Sequence, residues 1–288
     1  MSHVLVIGGI NLDIKAKTLA THVAATSNPA AILTKPGGVG RNIAHNLACL
    51  GTPVSLLSVI GNDAGGASAL AATEAAGVDV SPVIKLQAAT GIYLAVLDSN
   101  GELVTAASDM AALEALTPAV IAQNEKIISA SRYIVADCNL PLDTLGAIAN
   151  IAADRMILEP VSVAKSRKVA ALLEDHDIFM ATPNLDQAVA LTGTNDPERA
   201  AVILREKGLS AVVLHHGPKG AYSYDGTVIE HAASQAAEIV DVTGAGDAAT
   251  AGLVAGLMQG LSLHAAAELG QRTAAKVIAS EYSTLVVP

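Results

Sequence analysis

A segment near the end of the chain places two acids around a glycine-rich loop, directly ahead of an apolar run. Residues 241–247 read DVTGAGD, and the AATAGLVAGLM that follows from Asp247 onward has the composition of a buried helix. Gly244 and Gly246 allow backbone conformations that other residues resist, so the loop can deliver free N–H groups at a helix N-terminus. Such a terminus attracts anions. Asp247 is then either a simple helix cap or a general base beside a bound phosphate.

Two further glycine-rich segments, KPGGVGRN at 35–42 and HHGPKGAY at 215–222, favour a phosphate-binding site over three unrelated turns. The first leads into a predicted helix, as DVTGAGD does. The second reads as a tight turn between strands with Lys219 at its tip, where the lysine is a phosphate or ribose contact or a solvated turn residue. The chain has no G-x-x-x-x-G-K-[ST], and no G-x-G-x-x-G leads from a strand into a helix, which argues against P-loop and dinucleotide-binding sites.

The elements that must position these loops alternate between strands and helices. This alternation predicts an α/β fold, with a mostly parallel sheet covered by helices on both faces. Predicted strands are 4–8, 54–60, 132–136, 155–159, 178–181 and 211–215, and an Asp-Gly turn signals a hairpin at 222–231. Predicted helices include 40–51, 117–130 with Thr117 as its N-cap, about 247–259 and 262–279. We expect one domain, 1–288, since no linker or repeat interrupts the pattern.

One region breaks the alternation. Residues 91–108 read as two strands around an Asn-Gly turn with no helix between them. With residues 12–35 they predict a small separate sheet. Because ligands of open α/β sheets bind at the carboxyl ends of the strands, a sheet placed there would form a lid over the site. Its exposed edge could pair with a second subunit, which predicts a homodimer.

The composition of the chain limits the classes of partner and the cellular setting that we expect for it. The chain has 288 residues, 51% of them hydrophobic, and 17 Lys and Arg against 27 Asp and Glu give a net charge of −10. That charge and the 2% aromatic content argue against nucleic-acid binding. Cys49 and Cys138 form no C-x-x-C pair, so we expect neither zinc nor a disulfide, and a cytoplasmic setting. The opening MSHVLVIGG reads as a strand instead of a signal peptide, and no apolar run reaches the roughly 18 residues of a membrane span.

Four motifs give the chain a family resemblance. GGINLD at 8–13, GGVGRN at 37–42, TPN at 182–184 and DVTGAGD occur in the order and approximate spacing of the ribokinase-like (PfkB) carbohydrate and nucleoside kinases. The resemblance covers nearly the whole chain. It implies a three-layer α/β/α fold with a β-sheet lid, and phosphoryl transfer from ATP with Mg²⁺ to an alcohol. IYLAVLDSNGELV, SDM and VADCN look most like the branch that phosphorylates pseudouridine at its 5′ hydroxyl.

The resemblance also implies roles for individual residues. Asp247 would accept the hydroxyl proton, while the backbone of Gly244, Ala245 and Gly246 would form the anion hole. Asp13 and Asn42 match positions that bind sugar hydroxyls, although by themselves they read as a solvated strand-end acid and a helix surface residue. The other predicted acceptor-site residues are Asn11, Gly38 (close approach of the sugar to the backbone), Tyr93 in the lid, and Ser108, Asp109 and Asn139 as readers of the base.

On the nucleotide side the chain departs from the family pattern. The predicted contacts are Asn184, His215, Gly217, Lys219 and Gly220. His215 stands where relatives often have Ser or Thr, and a packing role is the alternative. Gln187 replaces the Glu of the N-x-x-E motif that helps hold Mg²⁺ through water. Glu159 could supply the missing charge, or be a salt-bridged strand end.

Asp241 and Thr243 fall where many family members bind a monovalent cation such as K⁺, and a turn-capping Asp241 is the alternative. Three functions stay open at this point. The first is the pseudouridine kinase activity, the second is kinase activity on ribose or another sugar or nucleoside, and the third is a non-catalytic nucleoside sensor, suggested by Gln187 and His215.

Overall fold

A computed structural model of the chain describes residues 3–235 and 238–286. The strands are β1 (Val4–Ile7), β2 (Asn11–Thr18), β3 (Ala30–Gly37), β4 (Val54–Leu57), β5 (Val59–Gly61), β6 (Ile84–Leu86), β7 (Gly91–Leu97), β8 (Leu103–Asp109), β9 (Tyr133–Asp137), β10 (Met156–Glu159), β11 (Ile178–Ala181), β12 (Leu209–His215), β13 (Ala221–Tyr224) and β14 (Ile229–Ala232). The helices are α1 (Val39–Cys49), α2 (Ala64–Ala75), α3 (Pro118–Gln123), α4 (Glu125–Ala130), α5 (Leu142–Ala152), α6 (Val163–Leu172), α7 (Leu185–Thr192), α8 (Pro197–Glu206), α9 (Ala245–Met258) and α10 (Leu263–Ile278).

The central sheet has eight strands in the order β14-β13-β12-β11-β10-β9-β1-β4. All pairs from β4 to β12 are parallel, and the hairpin predicted at 222–231 adds β13 and β14 as the antiparallel edge. Strands such as VLVI in β1 are buried along their whole length, as expected for parallel strands covered on both faces. The predicted mostly parallel α/β sheet is confirmed.

Two apolar layers cover the sheet, one on each face. Leu5 and Ile7 of β1 pack with helices α3 to α8, while Val4 and Val6 point to the other face and pack with α1, α9 and α10. Along a strand, successive side chains alternate between faces, so one short apolar run contributes to both layers. The result is a three-layer α/β/α arrangement that holds the amino ends of α1 and α9 at the carboxyl ends of the strands.

The lid is a four-stranded sheet in the order β3-β2-β7-β8, built from the segments 12–35 and 91–108 that the sequence singles out. The chain enters it directly after β1 and returns from it into α1 through Gly37 and Gly38. In this sheet, Asp13 of β2 pairs with Lys35 of β3 on one side and with Tyr93 of β7 on the other. Tyr93 in turn pairs with Ser108 of β8. Directly opposed residues share a face of a sheet, so these four side chains form one row.

Two predicted elements are divided in the structure. The strand predicted at 54–60 is interrupted at Ser58, whose buried hydroxyl donates to Gly8 O at 2.5 Å, and its second half becomes β5, paired with β6. The helix predicted at 117–130 begins as expected with Thr117 as N-cap, but it breaks at Asn124 into α3 and α4. Within the described residues, no helix combines the length and apolar character that crossing a membrane requires.

Candidate active site

The amino ends of α1 and α9 meet at the centre of the site. Gly38 and Gly244 are their N-caps, with φ of 101° and 81°, a region that favours glycine. Asn42 in the first turn of α1 donates from Nδ2 to Asp247 Oδ2 in the first turn of α9 at 2.8 Å. Residues 205 positions apart are thus in direct contact. The structure therefore places the predicted base beside a predicted acceptor-binding residue.

The first turn of α9 has the free N–H groups that an anion-binding cradle requires. The structure takes Ala245 out of the predicted anion hole of residues 244–246, because Ala245 N donates to Val242 O. The N–H groups of Gly244, Gly246 and Asp247 have no acceptor within the described residues. A cavity of about 210 Å³ opens in front of residues 244–247. Because the first N–H groups of a helix lack intrahelical partners, a phosphoryl group in this cavity would receive donors that are already oriented.

Burial and nearby acids make Asp247 a stronger base than an ordinary aspartate. Burial raises its pKa well above the usual value, the hydrogen bond from Asn42 opposes this, and the negative charges of Glu159, Asp137 and Asp13 raise the pKa further. A general base works best when its pKa approaches the working pH. The surroundings of Asp247 therefore suit it to accept a proton from an alcohol.

The loop ahead of α9 predicts opposite outcomes for two neighbouring glycine-to-alanine substitutions. A Cβ at Gly244 would clash with the backbone of Ser283, at a φ that alanine adopts only with strain, whereas a Cβ at Gly246 would meet nothing within 4 Å. We expect Gly244→Ala to lower the Tm by at least about 2 °C, and Gly246→Ala to leave it unchanged or slightly raised. Thermal melting of both variants measures this, and an equal loss in both would contradict it.

The residues predicted to bind the acceptor lie between the lid and the loop that enters α1. Asn11 Nδ2 donates to Asp13 Oδ1 at 2.7 Å, and a Cβ at Gly37 would collide with the Asp13 carboxyl. A Cβ at Gly38 would collide with Gly9 O, so no larger side chain fits there. The structure therefore brings together the four residues Asn11, Asp13, Gly38 and Asn42, which contact either one another or the glycine loop at 37–38.

The lid register separates the predicted base readers. Tyr93 and Ser108 lie in the row of Asp13, but Asp109 opposes Ile92, which places its side chain on the other face of the sheet. Asp109 Oδ1 instead accepts from Ala111 N at 3.0 Å. The assignment of Asp109 to the acceptor site is wrong, because a shift of one residue along a strand reverses the face.

Asn139 is only partly available to a ligand. Its side-chain oxygen accepts a hydrogen bond from Lys165 Nζ, and its backbone N–H donates to Asp137. Burial raises the pKa of the Asp137 carboxyl, and the side-chain NH₂ of Asn139 lies close enough to that carboxyl to oppose the shift. This NH₂ is the part of the amide that could still read a base. Asn139 thus keeps the acceptor-site role as a prediction, with one donor group instead of a full amide.

Asp137 is an important residue that the sequence reasoning missed. Its fully buried carboxylate accepts from Gly9 N at 2.8 Å and Gly40 N at 2.9 Å through Oδ2, and from Asn139 N at 2.9 Å through Oδ1. It joins the glycine loop after β1, the start of α1 and the end of β9. Its only signal in the sequence is an acid directly after the apolar strand 132–136.

Glu159 and Gln187 both line the cavity in front of α9. Glu159 Oε2 accepts from Thr182 at 2.8 Å and from Thr250 at 2.9 Å, and the carboxylate has no salt-bridge partner within the described residues, which removes the salt-bridged alternative. Gln187 Oε1 accepts from Asn184 N at 2.8 Å while Asn184 Oδ1 accepts from Gln187 N at 2.9 Å, a capping box at the start of α7. The structure therefore gives Gln187 a capping role that the sequence analysis did not foresee.

The residues predicted for the nucleotide fall into two groups. Asn184 and His215 line the cavity in front of α9. Both ring nitrogens of His215 are buried and have no hydrogen-bond partner within the described residues, and burial lowers the pKa of the ring to about 4, so it is neutral. Gly217, Lys219 and Gly220 belong to the tight turn between β12 and β13, with Lys219 exposed, and they do not line that cavity.

Asp241 and Thr243, the residues predicted to bind a monovalent cation, are both in contact with a lysine. Lys15 Nζ lies 2.8 Å from Asp241 Oδ2 and 3.3 Å from Thr243 Oγ1, and Asp241 Oδ1 accepts from Thr243 N at 2.9 Å. Both carboxylate oxygens are therefore engaged, one of them by an ammonium group. The K⁺ site at these two residues stays a prediction, and an ion bound there would have to share the Asp241 carboxylate with the Lys15 ammonium.

Comparison with known proteins identifies the family. The model of the pfkB family carbohydrate kinases matches residues 1–288. The chain belongs to the PfkB family. Pseudouridine kinase of Escherichia coli (strain K12) is 35% identical over 289 residues, which cover 98% of this PfkB kinase and 92% of that protein.

Solved structures of PfkB relatives confirm the predicted ribokinase-like fold. A carbohydrate kinase from Agrobacterium tumefaciens superposes with a TM-score of 0.85 at 33% identity, covering 99% of this chain and 93% of that one. Ribokinase from Thermotoga maritima gives the same TM-score at 22% identity, covering 98% and 95%. The latter likeness concerns the fold alone.

PfkB kinases transfer a phosphoryl group to an alcohol and use ATP, generally with Mg²⁺. The residues of this PfkB kinase fit both. The free N–H groups of α9 suit phosphate. Glu159, in the same cavity, is a fixed, buried carboxylate without a cationic side chain beside it among the residues that the structure describes. Mg²⁺ in such sites keeps several waters and needs only one or two carboxylates. Glu159 would hold the hydrated ion, with Gln187 able to contribute through its second lone pair.

The neutral amide of Gln187 predicts a gain from Gln187→Glu. A carboxylate can still cap Asn184, since Glu is as suitable as Gln at this position of a capping box, and it would add a charge toward the cavity. We expect a tighter apparent Mg²⁺ affinity at fixed ATP, measured by magnesium titration of the initial rate. Gln187→Met is the control that removes the capping oxygen. An unchanged titration for Gln187→Glu would show that another group already fills this role.

Proposed function

We propose that the protein phosphorylates the 5′ hydroxyl of pseudouridine with ATP, giving pseudouridine 5′-phosphate and ADP. The observation that carries the kinase chemistry is the Asn42–Asp247 contact at the free N–H groups of α9. This contact supports the proposal because it joins the carboxylate proposed as the base to the amide proposed to bind the acceptor, beside the N–H groups proposed to bind the phosphoryl group. The choice of pseudouridine is supported by the 35% identical relative that bears this name.

In this proposal the chemistry is divided between the two helix ends. Asp247 accepts the proton of the 5′ hydroxyl while the hydroxyl oxygen bonds to the γ-phosphorus of ATP. The bond between that phosphorus and the oxygen that bridges it to the β-phosphate breaks, and ADP leaves. The N–H groups of Gly246 and Asp247 neutralise charge on the moving phosphoryl group without reorganisation. Magnesium, when bound, neutralises charge on the phosphates of ATP.

The acceptor would lie between Asp247 and the lid row of Asp13, Tyr93 and Ser108. Asp13 and Asn42 offer the acceptor and donor groups that ribose hydroxyls need, while Tyr93 and Ser108 offer a ring and a hydroxyl beyond them. A sugar alone would leave those two unused. This arrangement favours a nucleoside over free ribose.

The test is a coupled assay of ADP release with ATP and Mg²⁺, comparing pseudouridine, uridine, ribose and adenosine on one preparation. We expect pseudouridine to give the highest kcat/KM. Uridine is the sharpest control, because it differs only in the atom that joins base and ribose.

Each other outcome selects one of the remaining functions. Turnover dominated by ribose or another nucleoside would keep the role of Asp247 and discard pseudouridine as the acceptor. Tight nucleoside binding without turnover of any acceptor would support the non-catalytic sensor. The intact Asp247 and its anion cradle argue against that outcome, since a sensor has no need of a base at a phosphate site.

A further inference from the structure

A lysine from the lid reaches the loop that forms the anion cradle. Lys15 lies on β2, and its Nζ donates to Asp241 Oδ2 at 2.8 Å and to Thr243 Oγ1 at 3.3 Å. Thr243 donates two hydrogen bonds to Asp241 Oδ1, from its N–H at 2.9 Å and from its hydroxyl at 2.6 Å. The three side chains form a closed group directly before Gly244, the N-cap of α9.

We propose that the Lys15 ammonium is a built-in cation for this loop, so that the enzyme works without a bound monovalent ion. Lys15 acts as a positioning residue. It holds Asp241 and Thr243, and through them the turn at Gly244 that presents the N–H groups of Gly246 and Asp247. A monovalent cation at the same carboxylate would have to displace an ammonium that the chain supplies at every ion concentration.

The electrostatics of Asp241 agree with this role. Partial burial raises its pKa, but the hydrogen bonds from Lys15 and Thr243 outweigh that effect and hold the pKa below its usual value. The carboxylate is thus charged and paired across the whole physiological pH range. Asp241 needs no further counter-ion.

Lys15 also connects this loop to the acceptor side of the site. It lies two residues from Asp13 on the same face of β2, and both line a cavity of about 350 Å³ with Asp241 and Thr243. Lys35, the cross-strand neighbour of Asp13, makes a second contact from the lid, to the backbone oxygen of Glu281 at 2.5 Å. Lid position and cradle geometry are therefore coupled through lysines.

The first experiment uses the wild-type protein and needs no knowledge of the acceptor. Thermal melting is compared in K⁺, Na⁺ and N-methyl-D-glucamine at equal ionic strength, and Tl⁺ binding is followed by ²⁰⁵Tl NMR. We expect equal Tm values and no bound Tl⁺ signal. A higher Tm in K⁺ together with a bound Tl⁺ signal would overturn the proposal, whichever substrate the enzyme uses.

The second experiment removes the ammonium. Lys15→Met is expected to acquire a K⁺ response, with a Tm and a kcat that depend on K⁺, the latter by about fivefold or more. Lys15→Arg should stay independent of K⁺ because it keeps the charge. Lys17→Met, on the same strand and with no ion pair within the described residues, is the matched control and should behave as wild type. A Lys15→Met protein that folds and stays independent of K⁺ would contradict the proposal.

Discussion

Asp247→Asn is expected to lower kcat by roughly two to four decades while the nucleoside and ATP still bind, because the amide cannot accept the hydroxyl proton. The substitution keeps the shape of the side chain and leaves an oxygen to accept from Asn42 Nδ2. Single-turnover rates measure the loss, and calorimetric titration of each ligand measures binding. A variant that turns over like wild type would exclude Asp247 as the base.

The same substitution is expected to stabilise the protein at neutral pH. The pKa of Asp247 is raised in the folded state, so its ionised form costs folding free energy at pH values above the ordinary aspartate pKa. The cost grows as the pH rises through the interval between the unfolded and folded pKa. Asparagine carries no such cost, so the Tm of Asp247→Asn should exceed that of wild type at pH 8 and converge with it toward about pH 4.

Asp13→Asn is expected to lower kcat/KM for the nucleoside by about 10- to 100-fold, mostly through KM. Asp13 lies in the lid row that faces the site and already accepts from Asn11, so its second oxygen is the acceptor available to a ribose hydroxyl. In the variant, the amide NH₂ can take the place of that oxygen, so two donors face each other and the hydrogen bond to the ribose hydroxyl is lost. The cost is about 1–3 kcal/mol. Initial rates over a range of nucleoside concentrations measure the effect.

Asp109→Asn is the matched control for that experiment. It makes the same chemical change on a lid strand, but at a position whose side chain lies on the opposite face. Kinetics within about twofold of wild type are expected, since surface substitutions away from a site have small effects. Equal losses for Asp13→Asn and Asp109→Asn would mean that both act through lid stability and not through the acceptor.

Sequence reasoning succeeded where one local pattern carries the information. The glycine pairs before α1 and α9, the cap at Thr117 and the Asp-Gly hairpin each follow from backbone chemistry within a few residues. The short apolar runs predict buried parallel strands for a similar reason, since a strand covered on both faces is apolar at successive positions and these runs are too short for helices.

It failed where the deciding contact joins distant parts of the chain. Asp137 acquires its role only because β1 and β9 become neighbours, and Lys15 meets Asp241 across 226 residues. Asp109 was misplaced because β8 is exposed along its whole length and carries no apolar alternation to reveal its face. Gln187 was interpreted from its departure from the family motif, while its capping bond depends on the geometry of Asn184.

The alternation of the lid strands gives two neighbouring sets of positions different evolutionary freedom. Asp13, Tyr93 and Ser108 share the face that meets the site, whereas Ile92 and Asp109 share the outer one. If the acceptor binds as proposed, we expect substitutions at the first set to alter which alcohol is selected, and substitutions at the second to alter only the outer surface of the lid. Neighbouring positions on a lid strand are then under different selection. A lineage can change its substrate specificity without changing the outer surface of the lid, and the reverse.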